Sequence, residues 1–178
     1  KVFQLLNSVI SIPDNTALIA AQDQMLKFIG PLFEVMATIF PSDNHALLGR
    51  ITRQFLQAIP DTGRNNTIEG KLTVASVVSN GSLLLRGEAR KELLEYLCSL
   101  IRPHMNRTST ERRLSVRVFA DIVGSLQKLI IDPSLNTTSK NKNGELSIRD
   151  SFLTIFSLLP HIHKALQDLR SELHECQA

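Results

Sequence analysis

The sequence predicts an all-α protein of seven to eight helices in antiparallel pairs, and three observations carry that prediction. First, apolar residues recur at steps of three and four over most of the 178 residues. Leu114, Val118, Phe119, Ile122, Val123, Leu126, Leu129 and Ile130 make one wide helical stripe between Thr108 and Ile131. Second, such segments are separated by Pro, Gly, Asn, Asp and Ser, which stop and start helices. Third, aromatics are only 5% of the chain, with no Trp, and Leu is the commonest residue. A core of Leu, Ile, Val and Ala suits helix-on-helix packing.

The elements follow in order. Residues 1–11 form a short helix that stops before Pro13. Asp14 or Asn15 caps the next helix by accepting a bond from a free backbone N–H. That second apolar run, Leu18 to Phe40, meets Gly30-Pro31 midway and reads as one kinked helix or two short ones. Pro41-Ser42-Asp43 is a stop followed by a start, and helix 43–59 carries Leu47, Leu48, Ile51, Phe55, Leu56 and Ile59. Residues 60–66 are a loop by composition. Helix 67–79 is preferred to a β-hairpin around Asn80-Gly81, because neither flank alternates cleanly.

Helix 87–102 ends near Pro103. Thr108 and Glu111 read as a capping box for the long helix that runs to Ile131. Its polar stripe, Arg113, Arg117, Asp121, Gly124 and Lys128, reads as a solvated face. Asp132-Pro133 closes that helix, and the low-complexity residues 133–144 read as a flexible loop. In 146–176, Ile155, Leu159, Ile162, Leu166, Leu169, Leu173 and Cys176 step by 4, 3, 4, 3, 4 and 3, a coiled-coil-like seam. Pro160 predicts a kink or break near 159–160.

Paired neighbours form units of about 40 residues, the length of HEAT or armadillo units. In that spacing the whole chain, 1–178, resembles the HEAT and armadillo class of α-helical repeats. The resemblance implies one domain of a larger intracellular protein, a non-catalytic scaffold whose inter-helix grooves hold a peptide or a partner helix. No motif recurs at a fixed period, so an α-solenoid and an irregular helical bundle both remain open.

Chemistry is sparse. The chain has no Walker loop, no G-x-G-x-x-G after a strand, no H-E-x-x-H, no C-x-x-C and no G-x-S-x-G. No enzyme activity, cofactor or metal is therefore expected. His161 and His163 are two residues apart and diverge on a helix. Two cysteines, Cys98 and Cys176, make no disulfide framework, which points to cytoplasm or nucleus. Against that, sequons at Asn65, Asn80, Asn106 and Asn136 fit a secreted helical bundle with N-glycans. No apolar run is long enough to span a bilayer.

Charge is uneven. Between Arg86 and Arg117 eight basic residues face four glutamates, a surplus of four, where the whole chain is +3. Arg107, Arg112, Arg113 and Arg117 gather at a helix start, where phosphate or an acidic peptide can bind. They are the first candidate contact surface, and a nucleic-acid-associated domain is the alternative they support. No aromatic residues are interleaved, and no DNA-binding motif is present. The second candidate surface is the seam Leu166, Leu169 and Leu173, which would accept a partner helix if exposed.

Overall fold

The structure, a computed structural model, describes residues 1–13, 15–61, 65–135 and 147–175. Among them are eight α-helices and no strand: α1 (Val2–Ile10), α2 (Ile19–Ile39), α3 (His45–Ala58), α4 (Asn65–Asn80), α5 (Gly87–His104), α6 (Ser109–Ile131), α7 (Ile148–Phe156) and α8 (Leu159–Glu175). The Asp14 cap, the Asn136 sequon, Cys176 and residues 136–144 of the expected loop lie outside the described residues. Pro133–Leu135, at the start of that loop, form a 3-10 turn.

The helices lie in two layers. α1, α3, α5 and α7 pack side by side in one; α2, α4, α6 and α8 do so in the other. The closest associations join next-but-one neighbours: α4 with α6, α3 with α5, and α2 with α4. Across the layers α1 meets α2, α2 meets α3, α3 meets α4, α5 meets α6 and α6 meets α7; most connections are short, the longest being that between α6 and α7. One continuous core runs between the layers, from Ile10 to Ala165.

Close same-layer packing has a cause in the sequence. Gly49 on α3 faces α5, and a Cβ there would lie 3.0 Å from Ala89 Cα and 3.1 Å from its carbonyl oxygen. Gly30 on α2 faces α4, 3.1 Å from the Val77 side chain on the same measure. Phe33 sits fully buried between Phe3 (centroids 5.7 Å, stacked) and Phe55 (6.0 Å, edge-on), joining α1, α2 and α3.

The structure resolves the expected punctuation at three places. α2 is one helix through Pro31. Pro31 donates no N–H to the Lys27 carbonyl, and both residues lie on the exposed side of the helix. The break in the last segment falls at Ser157-Leu158, ahead of Pro160, which sits in the first turn of α8 where no donor is needed. Helix, not hairpin, is found up to Asn80, followed by a 3-10 turn at Leu83–Leu85. The turn is held by fully buried Arg90, whose Nη1 donates to Leu84 O at 3.0 Å. Glu34 holds it from α2, its Oε2 accepting from Ser82 N at 2.6 Å.

Candidate functional site

The two outermost rungs of this stack expose apolar faces. On α2, Leu26, Ile29, Phe33 and Ala37 point inward. A second stripe, Phe28, Leu32, Val35 and Ile39, points outward with exposures of 67%, 43%, 51% and 70%. Its steps of 4, 3 and 4 are those of a helix-docking seam. Beside it Val2 and Leu5 of α1 are also exposed. A cavity of about 420 Å3 opens along this face, lined only by apolar residues, including Leu6, Met25, Phe28 and Leu32. The signal for this face was present in the sequence: α2 is apolar on two sides, more than one core contact can cover.

At the other end, the predicted seam of α8 divides. Ile162 and Ala165 are buried, and Leu169 is half-buried. Leu159, Leu166 and Leu173, seven residues apart, are exposed at 48%, 50% and 66%. Leu153 and Phe156 of α7 are exposed as well. Leu166 and Leu173 thus lie on an open face, with Leu169 at its edge.

The basic start of α6 differs from its expected form. Arg107, Arg113 and Arg117 are exposed, whereas Arg112 is buried. The Arg112 guanidinium donates to Met105 O (3.2 Å) and Arg107 O (3.1 Å), pairs tightly with Glu172, and lies 4.0 Å from Asp168. Those two acids come from α8, so Arg112 ties the last helix to the turn between α5 and α6. A hydrogen bond from Ser109 and the charge of Arg112 hold the Glu172 carboxyl below its ordinary range. Arg112 is therefore an internal link, and the four arginines do not form one open cationic surface. The polar stripe along α6 is likewise only partly solvated: Ser76 of α4 donates to Asp121 at 2.5 Å.

Thr108 caps α6 as expected, its Oγ1 accepting from Glu111 N at 3.3 Å. The Glu111 carboxylate goes elsewhere than the reciprocal bond of a capping box. Its Oε2 lies 2.6 Å from Nδ1 of His104, and both residues are buried.

Among the described residues, no group of three or more His, Cys, Asp or Glu is placed to hold a metal. His163 is exposed and bonded to Gln167 at 2.9 Å, and His161 is half-buried. Cys98 is a core residue, its thiol pushed up to about 11 by burial. Asn65 and Asn80 are the end residues of α4 instead of loop residues, while exposed Asn106 lies in the turn between α5 and α6. No described helix is long and apolar enough to cross a membrane. Comparison with family models, with curated proteins and with solved structures finds no match.

Proposed function

We propose that the protein is a non-catalytic interaction scaffold that docks an amphipathic helix of a partner protein on the α1–α2 face. The observation that carries this reading is the outward stripe Phe28, Leu32, Val35 and Ile39 beside an uncharged cavity. A partner helix with apolar residues at i, i+3 or i+4, and i+7 matches that spacing. The α8 face, with Leu159, Leu166 and Leu173, offers a second seam of the same kind. The two-layer order of helices supports a HEAT- or armadillo-like scaffold, whose units present such grooves. An intracellular setting, cytoplasmic or nuclear, goes with this reading through the cysteine usage. The nucleic-acid alternative is weaker, because Arg112 is internal.

The test is site-specific photocrosslinking in cells, with the reactive group placed at Phe28 and, as a control, at exposed Gln57 of α3. The expected adduct forms at Phe28, maps to a partner segment with the stated apolar spacing, and disappears with Val35→Glu. The same adducts from both positions, or a mapped segment lacking that spacing, would refute the helix-docking reading.

A further inference from the structure

We propose that the cavity between the end of α3 and the C-terminal half of α5 binds a small zwitterion of the α-amino acid class. The cavity measures about 230 Å3, and its lining includes Asp61, Tyr96, Leu100, Pro103, His104 and Arg107. It is distinct from the α1–α2 face and does not rest on the helix-docking reading.

Two groups on this wall, His104 and Asp61, are held from behind. His104 is 1% exposed and its Nδ1 is held by Glu111 Oε2 at 2.6 Å. The ring's other nitrogen, Nε2, has no hydrogen-bond partner among the described residues, although the residue lines the cavity. From the cavity side a ligand N–H can donate to that nitrogen. Asp61 is anchored by Lys71, a 2% exposed lysine whose Nζ lies 2.5 Å from Oδ1 and donates to Ile59 O at 2.8 Å. Tyr96 is kept a neutral O–H donor, since burial, and then the Asp61 charge, push its phenol well above the ordinary value. Arg107 has a fixed backbone: its N–H donates to His104 O at 3.3 Å, and its carbonyl accepts from Arg112 at 3.1 Å. Its guanidinium is left exposed at the rim, with no ion pair among the described residues.

The ligand class follows from the signs and the size. A simple anion would meet Asp61, and a simple cation would meet Arg107. A molecule carrying both charges satisfies both walls. Its carboxylate would accept from Arg107 and Tyr96, and its ammonium would donate to Asp61 and to Nε2 of His104. Leu100 and Pro103 leave an apolar patch for a short side chain. The volume lies below the ~300 Å3 at which drug-sized sites begin, so the occupant is metabolite-sized.

The experiment titrates the full chain with L-leucine, N-acetyl-L-leucine and L-leucinamide, followed by amide NMR shifts and calorimetry. L-leucine should bind saturably and shift amides between Tyr96 and Arg107. Capping either charged end should weaken binding by about tenfold or more, as should Arg107→Ala and Tyr96→Phe. Arg107→Ala should keep the melting temperature, because that side chain has no ion pair among the described residues. Absence of saturable shifts, equal binding by either capped form, or undiminished binding by Arg107→Ala would overturn the proposal.

Discussion

Two ionisable side chains, half-buried Glu34 and buried His45, make stability depend on pH in opposite senses. Burial raises the Glu34 pKa from its ordinary 4.5, against the pull of the Ser82 and Leu83 N–H groups. The folded state therefore holds that proton more tightly, so its stabilising contribution is complete below pH 4.5 and is lost as pH rises through the folded value. Its Oε1 is buried and unbonded, which disfavours the charged form. Burial, and then the Arg86 charge, lower the His45 pKa from 6.5. Its contribution is complete above pH 6.5 and is lost as pH falls from there toward the folded value. We expect Glu34→Gln to keep the acceptor for Ser82 and to raise stability at pH 7 by about 1 kcal/mol, or about 2–4 °C in Tm. The gain should shrink toward pH 4.5 in thermal melts; a constant gain across pH would sink this account of Glu34. The wild-type chain should begin losing stability below pH 6.5, and His45→Gln should blunt that loss.

Between elements, glycines mark which helix faces touch. Gly49 and Gly124 both sit inside helices, where Ala is preferred by about 0.5–1 kcal/mol. A Cβ at Gly124 meets nothing within 4 Å, so Gly124→Ala should stabilise the protein by about that amount. At Gly49 the new methyl meets the Ala89 backbone, which cannot rotate away, so Gly49→Ala should destabilise by about 1–3 kcal/mol. Chemical denaturation of the two variants decides it, and equal signs would show that the α3–α5 contact is looser than described. The helices themselves were legible in the sequence, because a 3–4 apolar step and its stop signals are local. Which face each helix turns inward was not. α2 carries two apolar stripes, and only the position of α4 against Gly30 and Leu26 tells the inner from the outer. Arg112 read as a surface cation because its partner Glu172 is 60 residues away, beyond any local pattern. The exposed arginines and the α8 seam could be listed from spacing alone. The His104–Glu111 pair could not, since a capping box already accounted for Glu111.

At the scale of the whole molecule, apolar surface is concentrated on the outermost rungs. Phe28 and Ile39, at 67% and 70% exposure, contribute little to the core. Phe28→Glu with Ile39→Glu should therefore leave stability within about 0.5 kcal/mol per site while lowering binding of a hydrophobic dye. A large drop in melting temperature would show that this face packs within the fold after all. The middle rungs differ: α4, α5 and α6 each have neighbours on both sides within a layer, and α4 with α6 and α3 with α5 are the closest pairs. Most packing is thus between segments that are next or next-but-one along the chain, so no rung waits on a distant one to form. The two-layer stack consequently sets an order of opening. Fraying should start at α1 and at α7–α8 and move inward, so amide protons in α4 and α5 are expected to be the last to exchange with solvent in a hydrogen-exchange measurement.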